Sequence, residues 1–284
     1  MAAREQVMIL TGAAGGIGQH LAARLYTEGH RLWLTDVNLD LLRASVKKSG
    51  LDDQERVGVS ALDVRDPHAW QALVSEVLAR FGRVDVLLNI AGFMRSEPIA
   101  TCPAESVDLH FDINAKGAIH GTRAVANVMI RQGSGHIINL ASLMGIAPLP
   151  GFALYSASKH AVRGFSIASS LELRPHGISV TVVCPDAVKT GMLDAQLSTD
   201  AARIAFSGPR PLKVEEISAL IVDRVLTDKP IEIMLAPAGS GRAFLSKLVG
   251  VAPVLAVPLE PIFSGLGSLV QERIRARKLK KRGV

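Results

Sequence analysis

Tyr155 and Lys159 stand four residues apart in YSASK, and Tyr155 is one of only two tyrosines in the chain. On a helix that spacing places the two side chains one turn apart on the same face. A phenol ionises near pH 10, so exchanging its proton near neutrality requires about three pH units of help, or roughly 4 kcal/mol of phenolate stabilisation. An ammonium one turn away can supply part of that. The bland alternative is a pair of residues on a helix surface, and only further convergent groups can displace it. Ser142, closing HIINLAS, brings a hydroxyl able to hold and polarise an oxygen, although a serine after a strand is also a common cap. Asn114 lies in FDINAKG.

A second cluster is TGAAGGIG, Thr11 to Gly18, between an apolar run and the first helix-like stretch. Glycines there let the backbone turn tightly and approach a pyrophosphate, which then meets the free N–H groups of a helix start. Any strand–helix turn uses glycine, so the loop alone is weak; Asp36, 18 residues after Gly18, strengthens it. A carboxylate at the end of the next strand accepts from both ribose hydroxyls and repels a 2′-phosphate. No arginine accompanies it in TDVNLD and no cation lies in the loop. NAD is the expected cofactor, with NADP the alternative.

These groups need elements to carry them. VMIL (7–10), RLWLTD (31–36), ERVGVSALDV (55–64), VDVLLNIAG (84–92), HIINLAS (136–142), ISVTVVCP (178–185) and IEIMLA (231–236) read as strands. They are continuous rather than alternating apolar runs, as strands buried on both faces of a parallel sheet should be. Helix-like stretches at 16–28, 66–81, 114–131, 153–174 and 214–227 separate them. The alternation predicts a doubly wound α/β domain with a seven-stranded parallel sheet over residues 1–237, without linker or internal repeat.

Composition narrows the function further. Hydrophobic residues make up 48% and mean hydropathy is +0.27, enough for a buried core. The net charge of +6 is local: RIRARKLKKRGV (273–284) holds seven of the 32 cations, leaving 25 against 26 acidic residues in the body. A near-neutral body with only 4% aromatics predicts no nucleic-acid partner. Cys102 and Cys184 lack metal or disulfide spacing, the eight histidines form no H-x-x-x-H pair beside a carboxylate, and the N-terminus is not a signal peptide. A cytoplasmic protein without metal is expected.

Taken jointly, T-G-x-x-x-G-x-G at 11–18, NIAG at 89–92, Asn114, Ser142 and YSASK at 155–159 resemble the short-chain dehydrogenase/reductase family over residues 5–237. The resemblance implies a Rossmann-type fold and an oxidoreductase that moves a hydride between nicotinamide and a secondary alcohol or ketone. It places the catalytic set on Asn114, Ser142, Tyr155 and Lys159. Tyr155 would exchange the proton, Ser142 hold the substrate oxygen, Lys159 bond the nicotinamide ribose, and Asn114 anchor a water in a proton path. The dinucleotide would contact Gly12, Ala14, Gly16, Ile17 and Gly18, then Asp36, then Asp63 and Val64 at the adenine. Asn89, Ala91, Gly92, Tyr155, Lys159, Pro185, Val188 and Thr190 complete that set. The family also implies a homodimer or homotetramer through helices near 114–131 and 153–174. A catalytically inactive dinucleotide-binding regulator is the rival, disfavoured by the intact Ser142, Tyr155 and Lys159.

Two departures stand out. In PDAVKTGM, Asp186 occupies the position where the family usually has glycine, either tilting the pocket toward polar substrates or capping a turn; Ile90 replaces a commoner asparagine, as packing. Leu143, Met144, Ile146, Leu149, Phe152, Met192 and Leu193 predict an apolar substrate pocket (Leu143, Met144, Phe152 and Met192 foremost), with no arginine pair to clamp an anion. The expected small-molecule substrate is lipid-, steroid-, terpenoid- or aromatic-like, under a lid at 186–212. Residues 238–284 form an apolar extension whose Pro253, Pro258, Pro261 and Glu260 argue against a spanning helix. Followed by the basic tail, it predicts either packing over the pocket or a subunit, or peripheral contact of 243–284 with an inner membrane surface, where a keto lipid would be the substrate.

Overall fold

A computed structural model of the protein describes residues 5–281, so the last three residues of the basic tail lie outside the described residues. Seven parallel strands form one sheet: β1 (Val7–Thr11), β2 (Arg31–Asp36), β3 (Val57–Ala61), β4 (Val86–Asn89), β5 (Gly135–Leu140), β6 (Ile178–Pro185) and β7 (Glu232–Leu235). Their spatial order is β3-β2-β1-β4-β5-β6-β7, the doubly wound arrangement expected from the alternation. The order reverses between β1 and β4, and the strand C-termini open a crevice there.

β1 shows why the strands read as unbroken apolar runs. Met8 and Leu10 pack into a core with Leu21 and Leu25 of α1 (Gly16–Thr27). Val7 and Ile9 point the other way, into a core with Trp70 and Val74. Successive side chains face opposite sides of the sheet and both sides are covered. After β2, α2 (Leu39–Lys48) is capped by Asn38, whose side chain accepts from the Leu41 amide, and adds to the helices expected from the sequence. α3 (Pro67–Phe81) starts at an Asp66 cap with Pro67 in its first turn and ends at left-handed Gly82.

The remaining helices frame the site. α4 (Ala104–Leu109) continues through one wider turn, His110–Lys116, into α5 (Gly117–Gln132). α6 (Ala153–Leu173) follows β5. Between β6 and β7 lie the short α7 (Gly191–Asp194) and then α8 (Val214–Ala219), which continues through a wider turn at Leu220–Val225 into α9 (Leu226–Asp228), as expected for 214–227.

The extension is helical: α10 (Arg242–Val251) and then α11 (Ala256–Lys281). The prolines do not interrupt α11. Pro258 falls in its first turn, where an amide is not needed, and only Pro261 lies inside. An interior proline costs about 3 kcal/mol, which must be offset by packing further along. Gly267 supplies part of that packing, since a Cβ there would meet the Arg203 carbonyl oxygen. Pro253–Leu279 is consequently long and apolar enough, by length and composition alone, to cross a membrane.

Candidate active site

The crevice is a cavity of about 430 Å³, with the glycine loop and Asp36 at one end and Ser142, Tyr155 and Lys159 at the other. Thr11 fixes its floor: the buried hydroxyl accepts from the amides of Ile90 and Ala91, both at 3.1 Å, tying the end of β1 to the loop after β4. That closeness dictates glycine at position 12. Its φ is +67°, and a Cβ would stand 2.8 Å from the Ala91 Cα. Gly18 sits against Gly12, where a Cβ would meet its carbonyl oxygen, and Gly16, with φ +54°, leaves room for the Thr190 side chain across the cleft.

Asp36 is positioned by backbone donors. One carboxylate oxygen accepts from Ala14 N (3.1 Å) and the other from Asn38 N (3.1 Å). A negative charge thus stands beside a loop built to let a backbone approach a phosphate, and these residues fit a dinucleotide. Gly12, Ala14, Gly16, Ile17, Gly18, Asp36, Ala91, Gly92, Pro185, Val188 and Thr190 all line the cavity.

At the other end, Ser142 lies just beyond β5, its hydroxyl accepting from Met144 N (3.1 Å) and donating to the Pro185 carbonyl (3.4 Å). It therefore caps a turn and faces the cavity at once. Tyr155 and Lys159, in the first turns of α6, are buried. Lys159 Nζ donates to the Leu140 carbonyl (2.8 Å) and lies 5.7 Å from the centre of the Tyr155 ring. Burial pushes the phenol up to about 12, partly countered by its hydrogen bond with Ser142, and pulls the ammonium down to about 8. In this environment Tyr155 is protonated at pH 7, and Lys159 is mostly cationic.

Asn114 sits in the wide turn before α5, close behind Lys159. Its Oδ1 accepts from Phe93 N (2.7 Å), and its Nδ2 donates to the Phe93 carbonyl (2.9 Å) and to Ser158 Oγ (2.9 Å). It locks the loop after β4 onto the first turn of α6. His110 meets the edge of Tyr155 at 6.4 Å between ring centres. Both its nitrogens are engaged, Nδ1 with the Ser106 carbonyl and Nε2 accepting from Arg95 N, so it is a packing neighbour.

Six expected residues lie off the cavity lining: Asn114, held behind it by the bonds just described, and Asp63, Val64, Asn89, Phe152 and Ile146. Asp63 is clasped by Arg65, with Nη2 at 2.6 Å, and this partner holds its carboxyl below the usual range. Val64 is buried where a Cβ on Gly117 would strike it. Asn89 faces inward, donating to Asn139 Oδ1 (2.8 Å) and the Ala118 carbonyl (3.3 Å), which steadies the central strands. Phe152 is buried behind Tyr155 with Leu197 and Phe206. Ile146, also expected in the pocket, packs against Val162 and Cys184 instead. Leu143, Met144, Leu149, Met192 and Leu193 do line the cavity, joined by Met94.

Arg242 was missed. From the start of α10 it reaches the cavity wall and pairs with Asp186: Nε to Oδ2 is 2.5 Å and Nη2 to Oδ1 is 3.2 Å, with side chains 19% and 9% exposed. Asp186 also accepts from Ala187 N (2.8 Å), so it caps the turn as well. Ser246 of α10 lines the same wall. Fifty-six residues separate the pair, and no local pattern reports such a contact.

Comparison with known proteins agrees with this geometry. A family model described as short chain dehydrogenase matches residues 6–201. A cyclopentanol dehydrogenase from Comamonas is 32% identical over 229 residues, covering 77% of this chain and 90% of its own. A diacetyl reductase, (S)-acetoin forming, from Staphylococcus epidermidis is 37% identical over 187 residues, covering 66% of this chain and 72% of its own. Among solved structures, a short chain dehydrogenase/reductase from Burkholderia phymatum in complex with NAD superposes with a TM-score of 0.77 at 26% identity, covering 91% of this chain and 96% of that one.

Proposed function

The chain belongs to the short-chain dehydrogenase family, oxidoreductases that use NAD(P) on alcohols and ketones, and within it we propose an NAD-dependent enzyme for a hydrophobic secondary alcohol or ketone. The observation that carries this reading is the convergence of Ser142, Tyr155 and Lys159 on an apolar cavity whose far end is Asp36. Asp36 and the absence of a cation from the loop support NAD, because a 2′-phosphate would face a carboxylate.

When bound, the dinucleotide supplies or accepts the hydride, and its oxidised ring adds a positive charge that favours the phenolate. The chain's own groups do the rest. Ser142 directs its hydroxyl at the substrate oxygen. Tyr155, held protonated by burial, donates to that oxygen as a ketone becomes an alcohol and takes the proton back in the reverse direction. Lys159 fixes the register of α6 against β5 through the Leu140 carbonyl and presents its charge to the phenol. Met94, Leu143, Met144, Leu149, Met192 and Leu193 exclude water and accommodate an apolar skeleton. Residues 186–212 act as the lid of a catalytic unit over 1–237, and α5 and α6 serve as the subunit contacts of a dimer or tetramer in the cytoplasm. The two free cysteines suit that reducing compartment.

The test is an NADH and NADPH fluorescence titration together with turnover on a panel of apolar ketones, for wild type and Tyr155→Phe. The expected result is tighter NADH binding, turnover by wild type, and intact binding with turnover reduced about a thousandfold or more in the variant. Cofactor binding without turnover of any ketone would favour the inactive regulator instead.

A further inference from the structure

We propose that α10 and α11 form a docking surface for a bilayer carrying anionic headgroups. Of the 17 large hydrophobic side chains exposed among the described residues, ten fall between Phe244 and Leu279, so this is a patch rather than the scatter of an ordinary surface. Their spacing is helical. Phe244, Leu248 and Val251 occupy i, i+4 and i+7 of α10, with Phe244 69% and Val251 88% exposed. Ile262, Leu266 and Leu269 repeat that spacing on α11. Arg273 and Arg277 continue the same face over the next two turns, both exposed. An apolar row running into cations matches the interface of an acidic membrane, with acyl chains beneath the aliphatics and headgroups at the arginines. Exposed Lys247 adds a cation beside Leu248, and exposed Glu272 precedes Arg273 in the chain.

The opposite face of α11 is already committed. Gln271 is buried and donates to the carbonyls of Leu197 (3.2 Å) and Thr199 (2.9 Å). Arg275 bonds the Leu197 carbonyl and Asp200, and Lys278 pairs with Asp194. A helix fastened along one side by polar contacts to 194–200 lies on a membrane plane rather than through it, although its length would allow a crossing. The lipid is favoured over a second copy because Arg273 and Arg277, which make no ion pair among the described residues, end the apolar row, and like faces meeting would bring these cations together with too few acids to match them. Acidic lipid supplies the missing charge.

The experiment is co-sedimentation of the full chain with vesicles of phosphatidylcholine alone and of phosphatidylcholine with phosphatidylglycerol, at low and high salt. Three proteins are compared: wild type, Leu266→Gln/Leu269→Gln and Arg273→Glu/Arg277→Glu. Light scattering without lipid runs in parallel, and circular dichroism verifies folding. Wild type should sediment with the anionic vesicles, and each variant, like high salt, should weaken binding about tenfold. Equal partitioning into neutral and anionic vesicles, or binding unchanged in both variants, would overturn the proposal. So would lipid-free self-association abolished by Leu266→Gln/Leu269→Gln, which would assign the face to a second copy. Turnover of a water-soluble ketone by the same variants separates this question from the enzymatic one, because neither variant touches the cavity.

Discussion

Lys159 should be a net burden on the fold that it serves. Its side chain is 4% exposed, and burial pulls the ammonium from 10.5 down to about 8. That difference corresponds to about 3 kcal/mol against the folded state wherever the group is charged in both states. The cost is present below pH 8 and is relieved as pH rises from 8 to 10.5, where the unfolded chain still holds a proton that the folded one has released. Lys159→Met keeps the length and removes the charge, but it forfeits the 2.8 Å bond to the Leu140 carbonyl, worth about 1 kcal/mol. The variant should therefore be inactive yet more stable than wild type by about 2 kcal/mol at pH 7. The gap should close near pH 9.5 and reverse slightly above the unfolded lysine's range. Tyr155 and Cys184, both pushed up to about 12 by burial, stay neutral throughout that window. Urea unfolding followed by the fluorescence of buried Trp33 and Trp70 measures it at each pH. A variant less stable than wild type at pH 7, or a gap that does not move with pH, would refute the electrostatic account.

Asp36→Ala should raise the affinity for NADPH relative to NADH by about tenfold or more, since one carboxylate–phosphate repulsion is removed; an unchanged ratio in fluorescence titrations would discount Asp36 as the selector. Gly12→Ala should abolish dinucleotide binding and lower the melting temperature, whereas Gly82→Ala, with φ +74° but open space around a Cβ, should cost only about 1 kcal/mol. Comparable losses from the two would mean that backbone strain, not the approach to Ala91, makes Gly12 necessary. Arg242→Ala should destabilise by about 2 to 3 kcal/mol, because it strands a mostly buried carboxylate, while adding Asp186→Gly should restore a good part of that. Additive losses in denaturant unfolding would show that the pair is not coupled.

Much of this was legible in the sequence because the physics is local or periodic. Unbroken runs such as VMIL announce strands covered on both faces, and their alternation with helices leaves little freedom in topology. The pair proposed for proton transfer was visible because one helical turn links Tyr155 to Lys159. α2 escaped because ten residues opened by an asparagine cap resemble a loop when read beside TDVNLD. Phe152 was expected at the substrate on the strength of being large and apolar, yet hydrophobicity does not tell a pocket wall from the layer behind it. The length of α11 was illegible for a related reason: the local cost of Pro261 is real, but tertiary contacts made by Gly267 and Gln271 decide whether the helix continues.

Asp186 and the extension are best understood together. A carboxylate 9% exposed, where glycine is usual in the family, is costly to bury unless a counter-charge meets it. Arg242 does so from the first residue of α10, immediately after Gly241, whose φ of +64° turns the chain back toward the cavity. Without the extension Asp186 would be stranded, and without Asp186 the guanidinium would keep only its bond to the Ser207 hydroxyl and lose its counter-charge. The two features therefore depend on each other, and together they enclose the cavity with residues that the shared catalytic machinery does not require. Arg242 and Ser246 come from α10, while α11 backs the segment 197–206 that carries Leu197 and Phe206 behind Tyr155. Substrate choice in this chain should accordingly follow changes at Arg242 and Ser246 more closely than changes around YSASK, because the proposed proton transfer at Tyr155 does not depend on the shape that α10 presents to the substrate.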